Sequence, residues 1–421
     1  MRETNRRRPA VRLSALLLAL GLVLLPGCRP GDEDVTTITF VHGWGSTEAD
    51  HEIMRRIFSD FETQNPGIRL NMLSLPTEND MIRKTGDMLM VGTVPDVVCL
   101  SGKGLDTIYK FMVERGCALD LMPYIQADSA FAANISPINL EYWTTEEGGI
   151  YSIADVLILG GGYWYNREIF QRAGIAALPA TWEEFAQVCD QIEAWAAGEG
   201  NGVHALHLSA EGYAYFADQL LASGEPPILD NRDGSGLKRL PAVLPTLERI
   251  HRYSVEENGR YTYRDETSLF NDGKLAIYVN GVWGAPMISE GLDAAYALLP
   301  GDGKQICCES VGTGYILGNT GDAARQDASL RFLRYMLSES VQERILLETQ
   351  QMPANPNLHI QRYARQLPRF CQAVDTVQRA EIKAQIPVQF WSGQQLGVFL
   401  EHIFSVLSGD LNKQTFFDMM R

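Results

Sequence analysis

The sequence predicts an α/β fold built on a mostly parallel sheet. Two patterns carry that expectation. Short segments rich in β-branched and aromatic residues alternate with amphipathic helical segments in the order β-α-β-α-β between residues 36 and 100. The same alternation resumes after residue 160 with different segment lengths, so a second α/β unit follows the first.

Each element has its own signature. Thr36 to His42 reads as a strand, with Ile38, Phe40 and His42 on one face and Thr37, Thr39 and Val41 on the other. Gly43-Trp44-Gly45-Ser46 ends it. Ile53, Ile57, Phe58 and Phe61 recur at helical spacing between Glu48 and Gln64, and Asn65-Pro66-Gly67 stops that helix. Ile68 to Leu75 alternates like a strand, Asp80 to Val91 reads as a helix, and Pro95 to Leu100 is a short buried strand. In the second half, Gly160-Gly161-Gly162 leads through Tyr163-Trp164-Tyr165-Asn166 into a helix that ends near Ala173-Gly174. Thr181 with Glu184 three residues on forms a capping box for a helix from Trp182 to Ala197. Leu275 to Val279 and Ala295 to Leu299 are strands; Ala323 to Leu337 and Val341 to Glu348 are helices.

The N-terminus carries a different signal. Arg2, Arg6, Arg7, Arg8 and Arg12 precede an apolar run from Leu13 to Leu25. At about 1.5 Å per residue, a helix of that run is too short for the roughly 30 Å hydrocarbon core. It reads as an export signal. Leu25-Pro26-Gly27-Cys28 resembles a bacterial lipobox, which implies acylation of Cys28, a signal peptide over 1–27 and a polar tether over 28–35. The chain is then expected on the extracellular face of the cell membrane, held by lipid.

The 421 residues carry a formal charge of −16, and loss of residues 1–27 would leave −20. Such acidity disfavours nucleic acid and anionic lipid surfaces. Six cysteines remain beyond Cys28, with no CxxC spacing and with Cys307 adjacent to Cys308, so scattered buried thiols are expected and a zinc site is not. No cofactor and no metal are implied.

Several segments together resemble a known family. They are Phe58-x-x-Phe61-Glu62 with Asn65-Pro66-Gly67-Ile68, Pro95-Asp96-Val97-Val98 and Tyr163-x-Tyr165-Asn166-Arg167-Glu168-x-Phe170. Pro179-x-Thr181-Trp182-Glu183-Glu184-Phe185, Phe270-x-x-Gly273-Lys274-x-Ala276 running to Asn280-Gly281-x-Trp283, and Ile386-Pro387-x-Gln389-Phe390-Trp391 complete the set. In this order they are similar to the extracellular solute-binding proteins of ABC importers, the family-1, maltose-binding-like group. Arg167 stands where that group usually has lysine. The resemblance implies a two-lobed periplasmic-binding-protein-like fold (type II), with about three hinge crossings and a ligand cleft between the lobes. It implies an N-terminal lobe of 36–150 plus 283–313 and a C-terminal lobe of 151–282 plus 314–421. It also implies a small-molecule solute, most simply a carbohydrate, an ABC permease as partner, and a monomer that is not an enzyme.

A sugar presents weakly apolar C–H faces and many hydroxyls, so its site needs flat aromatic rings together with carboxylates and amides. Strand-end loops are where open α/β sheets bind ligands. The expected ligand-binding residues are Trp44 and Ser46 after the first strand, Ser101 and Lys103 after the Asp96 strand, and Asp155 at the first crossing. Tyr163 and Tyr213 join them, with Trp283 and Trp391 as the residues matching the family's stacking aromatics. Asp96 is expected to brace backbone, and Gly314-Tyr315 to lie near the third crossing.

Rival chemistries lack their motifs. Val41-His42-Gly43-Trp44-Gly45 looks like a hydrolase oxyanion loop, but no serine or cysteine has Gly-x-Ser-x-Gly flanks. No Gly-Lys-Ser/Thr phosphate loop occurs. His204-x-x-His207 has no third ligand at motif spacing. A surface carbohydrate hydrolase, an adhesin, and binding of a glycerol-phosphate-like solute or a polyamine remain open alternatives.

Overall fold

The computed structural model describes residues 35–100, 105–224, 234–254 and 262–421. Among the described residues there are thirteen strands: β1 Thr36–His42, β2 Ile68–Ser74, β3 Val97–Leu100, β4 Ile153–Ala154, β5 Val156–Gly160, β6 Gly162–Asn166, β7 His204–Leu206, β8 Leu275–Tyr278, β9 Ala294–Leu298, β10 Ile306–Val311, β11 Gly314–Leu317, β12 Met352–Pro353 and β13 Ile382–Ala384. Three sheets form among the described residues, in the orders β2-β1-β3-β11-β4, β12-β5-β10-β13 and β7-β8-β6-β9.

The first sheet starts as the sequence predicts. β1 pairs in parallel with β2 and β3, and Ile38 and Phe40 point into a core completed by the helix Ala49–Gln64. That helix buries Met54, Ile57, Phe58 and Phe61 on one stripe, and Phe58 meets Phe40 edge-on at 5.0 Å. Val41, on the opposite face of β1, packs in a second cluster with Met81 and Ile108. The C-terminal half of the strand, Phe40 to His42, is therefore buried on both faces. The sheet is less parallel than expected, because β11 pairs antiparallel with both β3 and β4.

A separate core gathers residues from 163 to 299 and from 388 to 420. Its helix Trp182–Glu199 begins with the expected box, Thr181 accepting from the Glu184 amide and Glu184 accepting at Thr181. It ends at Gly200, where φ is +62°, a conformation that favours glycine. Elements that the sequence analysis left unassigned complete this half: helices Ala210–Ala222, Ser235–His251, Pro368–Gln378 and Gly393–Leu407, and strand β10.

Pairing corrects the expected lobe boundaries. β9 and β10, within 283–313, join strands of the second half: β9 pairs with β6 and β10 with β5. β11 returns to the first sheet, and the helices Ala323–Met336 and Glu339–Thr349 contribute Phe332, Leu333 and Ile345 to the first core. Long-range register, invisible in local spacing, decides this. The chain passes between the first and second sheets at β4–β5, at β10–β11 and just before β12. The three crossings are tied together at Asp155. Its N–H donates to the Thr313 carbonyl at 3.3 Å and its carbonyl accepts from Ala354 at 3.0 Å, while Gly312 N–H donates to Val156 at 2.8 Å.

Candidate binding cleft

A cavity of about 1370 Å³ opens beside these crossings, between the two cores. The helix Ala49–Gln64 and the loop before it supply Trp44, Glu48 and Asp50 from one side. The other side is built by the helix Ala210–Ala222, the helix Tyr263–Asn271, the turn after β8 and the segment 386–400. The guanidinium of Arg264 pairs across the mouth with the Glu48 carboxylate.

Trp283 has a built seat. It follows β8 on the short 3-10 helix Val282–Met287, which Gly281 precedes as N-cap. The Trp164 indole donates to the Gly281 carbonyl at 3.0 Å, and the Gly281 N–H donates to the Asn280 side chain at 2.8 Å. The Trp283 ring then lies over two glycines: a Cβ at Gly281 would come within 1.9 Å of it, and one at Gly160 within 3.6 Å. Tyr215 meets the ring edge-on at 5.5 Å. Trp391 lines the opposite end, only 6% exposed, packed edge-on against Phe399 at 5.3 Å. Its indole N–H has no partner, nor does the side-chain oxygen of Gln389 nearby on the same wall. Buried donors and acceptors are rarely left open in native proteins, and these two are the ones without a partner, among the described residues, that line the cavity.

Trp44 also lines the cavity, and close packing requires its flanking glycine. Gly45 does not offer its N–H to a ligand; it donates to Leu75 at 2.8 Å, and a Cβ there would lie 2.4 Å from the Leu75 carbonyl. The buried His42 holds the loop from below, accepting the Trp44 N–H at Nδ1 and meeting Ser74 at Nε2. Burial and the Arg55 charge push His42 down to about 3, so the ring is neutral.

The remaining expected residues are placed elsewhere. Ser46 braces the helix start, bonded to His51 at 2.8 Å and outside the lining. Tyr163 and Tyr213 are wholly buried in the second core, and the Tyr213 hydroxyl bonds His251. Asp155 stands at the crossings as expected but takes the Tyr315 hydroxyl at 2.7 Å and does not reach the cavity. Burial pushes its carboxyl up to about 7. Asp96 braces backbone, accepting from Thr39 at 2.7 Å and from Arg325 at 2.6 Å. Tyr315 is buried on β11, by the second crossing and not the third. Ser101, Lys103 and Cys28 lie outside the described residues.

Sequence reading missed one wall altogether. Glu211, Ala214, Tyr215 and Asp218 fall at i, i+3, i+4 and i+7 of the helix Ala210–Ala222 and all line the cavity. Asp218 accepts the Val388 N–H at 2.8 Å, and burial pushes its carboxyl up to about 8. Behind it Glu266, bonded to the Ser209 N–H, is also pushed up to about 8 by burial. The spacing was a signal, but spacing alone does not say which face of an apolar helix meets a cavity. Among the described residues, Glu48, Asp50 and His51 at the rim are the group that could gather round a metal ion, with Glu48 already paired to Arg264.

Comparison with known proteins gives this geometry a context. Residues 56–361 match the family model described as bacterial extracellular solute-binding protein. A multiple sugar-binding protein of Streptococcus mutans is 26% identical over 292 residues. The match spans 65% of this chain and 65% of that relative, under two thirds of the relative's length. Among solved structures, a Streptococcus pneumoniae solute-binding protein in complex with the blood group A-trisaccharide superposes with a TM-score of 0.74. It is 21% identical and covers 91% of this chain and 98% of its own. A chitin oligosaccharide binding protein superposes at 0.76 with 17% identity, covering 92% and 98%. These likenesses establish the two-lobed solute-binding fold.

Proposed function

We propose, for a chain that belongs to the bacterial extracellular solute-binding family, that it captures a sugar or oligosaccharide by closing its lobes and delivers it to an ABC permease without making or breaking a bond. The lobes in this reading are 36–154 with 314–349, and 156–311 with 352–421. The chain works on the outer face of the membrane as a monomer, moored by a lipid on Cys28.

The observation that carries the reading is the cleft itself. Three indoles, Trp44, Trp283 and Trp391, face one cavity from both lobes, with unpaired polar atoms on Trp391 and Gln389 between them. Aromatic faces suit sugar C–H surfaces, and open donors and acceptors suit hydroxyls. The crossings bonded at Asp155 give a hinge, and closure is favoured by as much as the guest binds the closed form better than the open one. The sugar-binding relatives point the same way.

A thermal-shift screen of the exported chain against a carbohydrate panel tests it. Binding should raise the melting temperature with no change in the sugar over hours. Trp283→Ala should abolish the rise and leave the ligand-free melting point within a few degrees. Equal loss of ligand-free stability would assign Trp283 to the core, and release of shorter sugars would replace the carrier by a hydrolase.

A further inference from the structure

The cavity is not electrically neutral in its lining. Its charged residues among those described are Glu48, Asp50, Glu211, Asp218 and Glu348 against one cation, Arg264. Two of these acids are already answered: Glu48 by Arg264, and Glu348 by Arg56 and Arg344. Asp50 accepts only the His51 amide. Glu211 has no basic partner among the described residues, and Asp218 bonds only the Val388 amide, through one of its two oxygens. The unanswered titratable groups are therefore all carboxyls, and two of the three lie on one helix face.

That face has a particular build. Glu211 and Asp218 are two helical turns apart, about 10 Å along the axis, with Tyr215 between them. Tyr215 meets Trp283 edge-on, so two aromatic rings share this wall with the two carboxyls. Burial holds the proton on the Tyr215 hydroxyl, and Tyr263 with the acids Glu211, Asp218 and Glu266 adds to that. A ring's π face is itself negative and attracts cations, and partial burial strengthens the attraction. A neutral hydroxyl can donate to one carboxylate at a time, whereas an ammonium is attracted by every one of these groups at once. The open Trp391 donor and Gln389 acceptor on the neighbouring wall require hydroxyl-like groups as well, so a bare cation would leave them unmet.

We infer that the wall formed by Glu211, Tyr215, Asp218 and Trp283 is a subsite for a protonated amine, which makes the guest an amino sugar with a free ammonium group in place of a neutral sugar. The inference rests on the carbohydrate reading above and narrows it. Asp218 suits the task. Its burial disfavours a lone charge in the empty cleft, and an adjacent ammonium reverses that preference by supplying the counter-charge.

Calorimetric titration of the exported chain with four probes tests the inference: the β-1,4-linked dimer of glucosamine, its N,N′-diacetyl form, cellobiose and spermidine. The three sugars share a linkage and differ in the group at C2, so the amine is isolated as the variable. The glucosamine dimer should bind about tenfold more tightly than either neutral dimer. Its advantage should shrink in high salt, and spermidine should bind weakly. Glu211→Gln, on an exposed side chain, and Asp218→Asn should each cost the glucosamine dimer more affinity than they cost cellobiose, so that the ratio of the two falls towards one. Equal or tighter binding of cellobiose or the diacetyl dimer overturns the inference and leaves the sugar-carrier reading standing. Tighter binding of spermidine than of any sugar overturns both, and binding of none of the four overturns the amine subsite while the broader panel decides the carrier.

Discussion

Gly281→Ala probes the seat of Trp283 without touching the ring. The backbone there has φ of −79°, which alanine adopts freely, so no backbone strain is introduced. The new methyl would meet the Trp283 ring at 1.9 Å, against an ordinary contact of 3.4 Å or more, so the ring must retreat by about 1.5 Å. Trp283 is partly exposed at the cavity wall and has room to move. The cost to the empty protein is then the weakened Tyr215 contact, about 1 kcal/mol. The cost to binding is larger. A displaced ring forfeits its stacking term, about 0.5–1.5 kcal/mol, together with part of the apolar area it would cover, about 1 kcal/mol at 25 cal/mol per Å² over roughly 40 Å². Together these are about 2 kcal/mol, or roughly a 30-fold weaker Kd. Gly160→Ala is the control, because its methyl would meet the same ring at an ordinary 3.6 Å and should cost less than threefold. Titration calorimetry with the best sugar of the panel, alongside melting curves, reads both. Binding of Gly281→Ala within threefold of wild type, with the protein folded, would refute the claim that the placement of this ring governs capture.

Other outcomes follow from the same geometry. Tyr213→Phe removes the hydroxyl that bonds His251 in the second core, and should cost about 1 kcal/mol of stability with solute affinity within twofold; a tenfold loss of affinity would return Tyr213 to the cleft. Stability of the ligand-free protein should fall as pH rises from 6 to 8. Burial holds Asp155 up to about 7 and Asp218 and Glu266 up to about 8, so the folded state keeps protons that the unfolded chain releases above about pH 4. Their stabilisation is complete below that point and lost through pH 7–8; a melting temperature that climbs from pH 6 to pH 8 would contradict it. His42 works in the opposite sense, stabilising above about 6.5 and losing its contribution as pH falls towards 3. Asp155→Asn keeps an acceptor for Tyr315 and removes the ionisation, so it should flatten the alkaline fall; an unchanged slope in melting scans would place the titration elsewhere.

What the sequence alone determined is what neighbours in the chain can settle. Apolar spacing gave the helix Ala49–Gln64 its buried stripe, Thr181 and Glu184 closed the box that starts the helix at Trp182, and Asn280-Gly281 marked the turn that carries Trp283. Each depends on interactions within a few residues. Its failures share a cause as well. Tyr163, Tyr213 and Asp155 are the residue types a sugar site uses, but each is enclosed by segments far away in sequence: Tyr163 by Phe185, Tyr213 by Phe404, and Asp155 by Thr313, Tyr315 and Ala354. Only tertiary structure decided that β11 returns to the first sheet, so that 314–349 packs with the N-terminal half. It alone turned Glu211, Tyr215 and Asp218 towards the cavity. Helical spacing defines a face, and which face meets a void depends on what packs against the rest of the helix, here the helices Ser235–His251 and Gly393–Leu407.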